Sequence, residues 1–501
     1  MNNRNFLENA ALLTGTGLLL RAAGLLLRVL IANVLGEEGM GLYSLTFTVY
    51  NLFITLAQSG IGIAVTRLVA QHLALKDERR VKGALQSCLL WALLLSTASA
   101  FVLFLGSGFL ADRWIGNVGC GFALKVLALS LPFMAVSGCF SGYFMGRRQV
   151  RPTCLAQTME QAVRLLICAV MVVLFRGAGT EILLGMIVFS NTLSEGVSCL
   201  FLAIRCKRER PKGTPIPPEK GAIRRIALPV AASRYLSTAL HSTENMLIPV
   251  AIARYTGDYS LGLAQFGALK GMAIPLLFFP ASFLTALSSL LVPEVTDSAA
   301  RADWRSTRGI VARALGITVT LSVMISGVFF IYGDFLGEVL FHSETVSMML
   351  KVLAPITPFM YMDTIADGLL KGLDRQSAAL RNNTIDSILR ILLIALTVPF
   401  FGIYGFLGVM VFSNILICSL NIGTLLHACK LSFQWKDWVL KPLCGCGMAT
   451  VVWALLPLRG TVLQMVLGAA VWCLTYAMFY WLTLPQKDII ISNRKKKEAD
   501  R

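Results

Sequence analysis

Two arginines share one face of the first apolar segment of the chain. Gly17, Arg21, Gly24 and Arg28 follow one another at intervals of four, three and four residues, so an α-helix would align them in one stripe. At about 1.5 Å per residue, Arg21 would lie near the middle of a bilayer and Arg28 about 10 Å from it. An arginine at that depth costs at least about 2.5 kcal/mol, so it needs water or an anion beside it. The stripe favours an anion-binding cavity over snorkelling or structurally paired arginines.

A second polar stripe occurs in a later apolar segment. Arg234, Ser237, His241 and Glu244 again share one helix face, with Asn245 beside them. Arg234 adds a basic group to the candidate cavity. His241 by itself is more simply explained as a core histidine whose hydrogen bonds are satisfied.

Two more basic residues lie inside apolar segments. Arg67 lies toward the cytoplasmic end of the second segment, and Lys270 lies toward the outer end of the eighth. If the first helices of the two halves of the chain face each other, these residues and the arginine stripes enclose a basic cavity. The planar guanidinium group makes paired hydrogen bonds to phosphate, so a pyrophosphate that carries a lipid tail fits this environment.

Three oxygen-bearing side chains could bind a hard cation. Asn382 and Asp386 stand four residues apart on one helix face, and Glu244 is the third candidate ligand, for an ion such as Na⁺. The alternative is structural, because Asp386 also stands four residues before Arg390 and can pair with it. No metal site beyond this one is indicated.

The chain lacks the signature of a primary ATPase. No Lys is followed by Ser or Thr, so the phosphate-binding loop GxxxxGK[ST] is absent. No loop is long enough for a glycosyltransferase domain. We therefore expect a transporter, not an enzyme, that needs no cofactor and takes Na⁺ or H⁺ as its candidate coupling ion.

Composition places these residues in a membrane. Hydrophobic residues make up 56% of the 501 and charged residues 14%, and apolar runs of span length recur along the whole chain. Because an open sheet edge is not stable in lipid, the runs predict helices. We predict fourteen spans, at about 11–35, 42–70, 84–108, 121–145, 153–175, 180–204, 226–253, 263–292, 309–333, 350–371, 382–401, 404–428, 440–457 and 461–483.

Charge in the loops predicts the orientation. With these spans, the loops on one side and both termini carry 31 Lys and Arg residues, and the loops on the other side carry 4. The positive-inside rule therefore puts both termini in the cytoplasm. The same loops account for most of the net charge of +18, so nucleic acid is not an expected partner.

The chain is an internal duplication. The segment Lys125-Val-Leu-Ala-x3-Pro-Phe-Met134 returns 226 residues later as Lys351-Val-Leu-Ala-x3-Pro-Phe-Met360. At the same offset of 226 residues, Gly142 matches Gly368, Gly146 matches Gly372, Glu160 matches Asp386 and Arg164 matches Arg390. Val188–Asn191 returns as Val411–Asn414 at an offset of 223, and Ile31–Gly41 returns as Ile252–Gly262 at an offset of 221. In membrane proteins such duplication is typical of transporters that bind substrate between the repeats.

The duplication divides the chain into four parts. Residues 1–205 form an N-lobe of six spans, and residues 226–428 form a C-lobe of six spans. Each lobe has an even number of spans, so the two repeats are parallel. The linker 206–225 is charged and rich in proline, which predicts a solvated cytoplasmic tether. Residues 429–501 add two spans and a basic tail.

Several motifs resemble those of a known family. Ile31-Ala-Asn-Val-Leu-Gly-Glu-Glu-Gly-Met-Gly-Leu-Tyr43 resembles the signature after the first helix of the stage V sporulation protein B family. Gly142-Tyr-Phe-Met-Gly146 with Met159–Arg164, and the run from Pro280 to Glu294, are similar to later motifs of that family. The resemblance covers most of residues 5–430. The family belongs to the polysaccharide transporter branch of the multidrug/oligosaccharidyl-lipid/polysaccharide (MOP) flippase superfamily.

The resemblance implies a fold and a function. The implied fold is all-α, with two six-helix lobes that form a V-shaped central cavity and work by alternating access in the bacterial cytoplasmic membrane. The implied substrate is an undecaprenyl-pyrophosphate-linked glycan, such as lipid II or an oligosaccharide repeat unit. Arg21, Arg28 and Arg234 are similar in placement to cavity arginines of the related lipid II flippases. Asn382-x3-Asp386 resembles in spacing a Na⁺ site found in some of them, where Glu244 replaces an expected Asp.

Three functions remain to be distinguished. The first is a flippase for cell-wall, spore-cortex or polysaccharide synthesis, with a lipid-linked glycan and membrane lipids as partners. The second is a multidrug or cation antiporter of the same fold, which would favour an apolar cavity with acidic residues. The third is a non-transporting scaffold for cell-envelope biosynthesis enzymes, which needs no arginine at the midplane. The basic stripes favour the flippase.

Overall fold

The described part of the chain is helical throughout. The computed structural model describes residues 3–58, 60–209, 214–218, 221–456 and 462–483. Its α-helices are α1 Asn3–Gln58, α2 Ile61–Ala74, α3 Glu78–Leu110, α4 Cys120–Gly146, α5 Arg151–Leu174, α6 Thr180–Arg208, α7 Ala222–Thr256, α8 Tyr259–Phe266, α9 Ile274–Phe278, α10 Ala281–Ala300, α11 Trp304–Phe341, α12 Glu344–Leu353, α13 Thr357–Gly372, α14 Gln376–Cys429, α15 Lys441–Leu455 and α16 Val462–Leu482. The described residues contain no strand, which confirms the all-α prediction.

The helices account for the predicted spans. Among the described residues, eleven helical stretches are long and apolar enough to cross a membrane. Residues 12–74 and 376–429 each contain two predicted spans, and α7 contains the seventh span. Large apolar side chains such as Leu105, Val173 and Phe400 stay exposed along these helices, which suits a lipid environment. The protein is a multi-pass membrane protein.

Glycines in the left-handed region separate consecutive spans. Gly36 (φ 69°) divides α1 into two helices, and Gly402 (φ 56°) divides α14 in the same way. Gly257 (φ 77°) ends α7. Gly257 stands 221 residues after Gly36, at the matching position of the repeat. Residues with a Cβ are strained at such φ values, so these turns depend on glycine.

The second span of each repeat is interrupted. In the first repeat α1 ends at Gln58 and α2 begins at Ile61, with Gly60 in the left-handed region at φ 68°. In the second repeat the interruption falls between Phe278 and Ala281. A broken helix leaves backbone groups free inside the membrane, which is characteristic of transporter binding sites.

The chain packs as two compact units. The first comprises residues 1–282 and 383–410, and the second comprises 283–382 and 411–501. One hydrophobic core cluster of the first unit is built from α2, α3, α4, α5, α6 and the start of α7. In the same unit the backbone of α1 lies directly against the π-helical segment Gly267–Ala273. A Cβ on Gly267 would lie 2.0 Å from Glu37 O and 2.4 Å from Gly41 N, so this contact requires glycine.

The second unit has its own aromatic core. The indole of Trp453 donates to the Tyr332 hydroxyl at 2.6 Å, which ties α15 to α11. Trp472 of α16 is fully buried and fills the space beside Gly327 of α11, where a Cβ would lie 2.2 Å from the ring. The two C-terminal spans therefore pack on α11.

A described part of the linker, residues 214–216, is hydrogen-bonded to the start of α3. The amide of Ile216 donates to Arg79 O at 3.1 Å, and Arg79 Nε donates to Thr214 O at 3.3 Å. Ile216 also lies so close to Gly83 that a Cβ there would overlap its carbonyl. These contacts attach that part of the linker to the start of α3, and the solvated tether predicted for residues 206–225 stays a prediction.

Candidate functional site

A basic cavity lies beside the break between α1 and α2. Its volume is about 440 Å³, and it belongs to the first unit. Four glycines in its wall allow close approach to the backbone, and two arginines are its charged lining residues. The lining residues are Gln58, Gly60, Ile61, Gly62, Ile63, Thr66, Arg67, Ala70, Ala92, Ala135, Gly138, Ser141, Gly142, Met145 and Arg234. We refer to this space as the arginine cavity.

The structure thus brings two of the predicted site residues together. Arg67 lies in α2, and Arg234 lies in α7 of the other repeat. Both side chains are exposed, and neither enters an ion pair among the described residues. Two unpaired guanidinium groups on one cavity can bind an anion, with paired hydrogen bonds from each.

The start of α2 adds to the positive character of this cavity. Its cap residue, Gly60, has no side chain, and no side-chain cap bond is formed. The first backbone amide bonded within the helix is that of Ala64, which donates to Gly60 O at 3.1 Å. The preceding amides, at Ile61, Gly62 and Ile63, carry the positive end of the helix dipole toward the cavity wall.

The stripe of the first helix has an open face. Arg21 is exposed and Arg28 is half-buried, and neither lines the arginine cavity. A Cβ added at Gly17 or Gly24 would meet nothing within 4 Å, so the stripe is unobstructed at these two positions. The shared stripe is confirmed as helical, while its role in binding stays a prediction.

Lys270 occupies a different site, an ion-pair cluster. Its ammonium donates to Glu244 Oε1 at 3.0 Å, and Arg390 Nη1 lies 3.5 Å from Glu244 Oε2. His241 Nδ1 lies 3.6 Å from the same Oε2, and Arg390 also pairs with Asp386. The Glu244 side chain is only 2% exposed, so its charge is balanced within the protein, not by solvent.

The three candidate cation ligands enter two networks. Glu244 and Asp386 meet at Arg390, in the first unit. Asn382 Nδ2 instead donates to Asn421 Oδ1 at 2.9 Å and to Thr424 Oγ1 at 3.2 Å. Oxygens that already accept from Lys and Arg are poorly placed for a hard cation, which must displace a basic group to bind. Among the described residues, no group of three or more His, Cys, Asp or Glu side chains is arranged to bind a metal.

The structural alternative for the duplicated acid–base pairs is realised in both copies. Arg164 Nη2 donates to Glu160 Oε1 at 2.6 Å, and Arg390 Nη2 donates to Asp386 Oδ2 at the matching positions. Arg164 Nε also donates to Ser194 Oγ at 3.3 Å, which links α5 to α6.

Sequence reasoning missed a buried carboxylate in the first repeat. Glu195 is 5% exposed and accepts from Asn191 Nδ2 at 2.8 Å and from the Tyr50 hydroxyl at 3.4 Å. Tyr50 also shares a short hydrogen bond with Ser130. The sequence feature that could have revealed Glu195 is a break in the duplication. Asn191 is repeated at Asn414, but the position that matches Glu195 is Cys418.

Sequence reasoning also missed a second cavity, which lies next to the arginine cavity along α1 and α7. This space of about 310 Å³ is lined by Thr48, Asn51, Ile54, Thr55, Thr238, His241, Ser242 and Asn245. Small hydroxyl and amide residues are common in transmembrane helix contacts, so their spacing on two helices did not stand out in the sequence.

Comparison with known proteins agrees with this architecture. The sequence pattern of the family described as "Polysaccharide biosynthesis protein" matches residues 6–287, more than half of the chain. Stage V sporulation protein B of Bacillus subtilis (strain 168) is 24% identical over 455 residues, which cover 88% of this chain and 87% of that protein. Lipid II flippase MurJ of the same organism is 20% identical over 404 residues, which cover 74% of each chain.

Solved structures show the same fold. Lipid II flippase MurJ in an inward closed conformation matches with a TM-score of 0.73 at 13% identity, over 95% of this chain and 98% of that chain. An inward-facing multidrug resistance MATE family transporter of the MOP superfamily matches with a TM-score of 0.69 at 16% identity, over 82% of this chain and 95% of that chain. The chain therefore has the same fold as these two proteins, and by sequence it belongs to the family described as "Polysaccharide biosynthesis protein".

Proposed function

We propose that the protein is a flippase that carries an undecaprenyl-pyrophosphate-linked glycan across the bacterial cytoplasmic membrane by alternating access. The proposal includes the predicted orientation, with both termini in the cytoplasm, and a place in cell-wall, spore-cortex or polysaccharide synthesis. Its partners would be the lipid-linked glycan, membrane lipids and cell-envelope biosynthesis enzymes.

The observation that carries the proposal is the arginine cavity. Arg67 and Arg234 come from different repeats, line the same space and are unpaired among the described residues. A pyrophosphate has oxygens for both guanidinium groups and for the backbone amides in the first turn of α2. Its binding would offset the cost of holding two arginines inside a membrane. We place the pyrophosphate there, with the open stripe of Arg21 and Arg28 as additional positive charge along its route.

Coupling to Na⁺ or H⁺ is a separate part of the proposal. The sequence motif of Asn382 and Asp386 supports a cation, but Glu244 is balanced by Lys270 and Arg390. Transport of the pyrophosphate does not depend on that cluster in our proposal, so the two parts can be tested independently.

Reconstituted liposomes test the flippase activity. The full chain is placed in vesicles with a fluorescent undecaprenyl-pyrophosphate-linked glycan, and the fraction of lipid that becomes protected from an impermeant quencher is measured over time. Wild type should speed this exchange, and the double variant Arg67→Ala/Arg234→Ala should not. Arg254→Ala is the matched control, because it removes an exposed arginine from the last turn of the same helix α7.

The fold likeness to a multidrug MATE transporter supports a second candidate, a multidrug or cation antiporter. The same vesicles distinguish the two. Exchange of cationic dyes without exchange of the lipid-linked glycan would favour the antiporter, and no exchange of either compound would favour a scaffold.

A further inference from the structure

The second cavity is built from one polar face of each of two helices. Thr48, Asn51 and Thr55 follow one another at intervals of three and four residues on α1, and Thr238, Ser242 and Asn245 do so on α7. The other lining residues are His241 and Ile54. Within the described part of the chain, no Lys, Arg, Asp or Glu lines it. We refer to this space as the hydroxyl cavity.

The hydrogen bonds across the hydroxyl cavity leave capacity for a ligand. Asn245 Nδ2 donates to Thr48 Oγ1 at 3.3 Å, and the hydroxyls of Thr55 and Thr238 lie 3.2 Å apart. Asn245 Oδ1 is buried and has no hydrogen-bond partner among the described residues. Such an oxygen is costly to leave unsatisfied, and a ligand hydroxyl or amide would satisfy it. The Asn51 side chain is exposed and makes no hydrogen bond within the described part of the chain.

The two cavities follow each other along the same helix pair. On α7, Thr238 stands one turn, about 6 Å, beyond Arg234, and Asn245 stands about 16 Å beyond it. On α1, Thr55 of the hydroxyl cavity precedes Gln58 of the arginine cavity by one turn. A molecule with an anionic group at Arg234 and a neutral polar group directly attached to it would therefore reach from one cavity into the other.

We infer that the hydroxyl cavity binds the uncharged sugar directly attached to the pyrophosphate, a proposal that rests on the proposed function. Side chains that both donate and accept hydrogen bonds suit the hydroxyl and N-acyl groups of a neutral pyranose. A volume of about 310 Å³ is at the lower end of ligand pockets, about 300–1,000 Å³. The arginine cavity would then supply affinity for any polyprenyl pyrophosphate, and the hydroxyl cavity would select for the sugar.

Binding of two lipids tests this division. Purified full chain is titrated, with native mass spectrometry as readout, with undecaprenyl pyrophosphate and with undecaprenyl pyrophosphate that carries one neutral sugar. Thr238→Val keeps the side-chain shape and removes the hydroxyl, and Asn51→Leu removes an exposed amide. Each should weaken binding of the sugar-bearing lipid about three- to tenfold and leave binding of the bare pyrophosphate unchanged.

Two controls make the outcome decisive. Thr243→Val lies on the same helix, is exposed and does not line the cavity, so both lipids should bind it like wild type. Arg234→Ala should weaken both lipids equally. If Thr238→Val and Asn51→Leu change neither lipid, or change both equally, the hydroxyl cavity is not a sugar site and the proposed function stands. If wild type binds neither lipid, the proposed function fails and the inference fails with it.

Discussion

Lys270 Nζ lies 3.0 Å from Glu244 Oε1, and this contact neutralises a carboxylate that is almost entirely buried. The lysine lies in a π-helical segment, and the glutamate lies near the middle of α7. Arg390 approaches the second oxygen of Glu244 from α14. Sequence analysis assigned Glu244 to a cation site, but Glu244 pairs with two basic side chains. It assigned Lys270 to the substrate site, but Lys270 pairs with a carboxylate.

Removing one partner of this pair should destabilise the protein. Among the described residues, Lys270→Met leaves the buried Glu244 with Arg390 and His241 as its basic neighbours, so we expect a loss of about 3 kcal/mol in unfolding free energy, measured as a lower melting temperature in detergent. Lys351→Met is the matched control. It breaks the largely exposed pair with Asp334 and should cost about 1 kcal/mol or less. Equal shifts for the two variants would show that the Glu244 cluster is not a buried ion pair.

The same cluster predicts the response to cations. Because Lys270 and Arg390 already balance Glu244, Na⁺ and K⁺ at equal concentration should stabilise wild type equally in a thermal shift measurement unless Na⁺, one of the two proposed coupling ions, displaces a basic group. A specific stabilisation by Na⁺ that is lost in Asp386→Asn would show that the cation displaces a basic group. That result would support the cation site expected from Asn382, Asp386 and Glu244.

The arginine cavity predicts a graded loss of lipid binding. Arg67→Ala or Arg234→Ala should each weaken binding of undecaprenyl pyrophosphate about 10- to 100-fold, because each removes a charge-assisted bond worth roughly 1.5–3 kcal/mol. Arg234→Lys keeps the charge but loses the planar guanidinium group that makes paired hydrogen bonds. It should therefore bind undecaprenyl pyrophosphate more tightly than Arg234→Ala and more weakly than wild type. Arg254→Ala should bind like wild type. If both alanine variants bind normally while folded, the pyrophosphate does not bind between these residues.

The proposed orientation can be tested with fusions. A reporter that is active only in the cytoplasm should be active after Lys212 or Lys495 and silent after Asp258 or Glu344. We expect this pattern because the loops on the predicted cytoplasmic side carry the excess of Lys and Arg residues. Activity at Asp258 would contradict the fourteen-span orientation.

The glycine contact between α1 and the π-helical segment predicts a sharp difference between two similar substitutions. Gly267→Ala should lower the yield and melting temperature of the folded protein, because its Cβ would lie 2.0 Å from Glu37 O. Gly24→Ala should be tolerated, since nothing lies within 4 Å of the added carbon. Equal tolerance of both variants would mean that the two helices separate without cost.

The turns and interruptions of the helices were only partly predictable from the sequence. Gly36 and Gly257 appeared as matched positions of the duplication, and the structure shows them as left-handed turns between spans. The interruption at Gly60 was not predicted, because the apolar sequence resumes at Ile61 and a single glycine is common within transmembrane helices. Its conformation depends on close packing against Ala227, whose carbonyl would lie 2.8 Å from a Cβ at that position.

The sequence by itself determined the fold class and the number of spans, and it predicted two repeats. Hydrocarbon thickness requires apolar runs of a certain length, and homologous halves keep register whatever their packing. It also determined which arginines are costly in a membrane. Only the tertiary structure decided which of them share a cavity. The rotation of each helix about its axis depends on contacts with other helices, so Arg67 meets Arg234 while Lys270 meets Glu244. Period and spacing place a residue on a helix face, and packing determines what that face contacts.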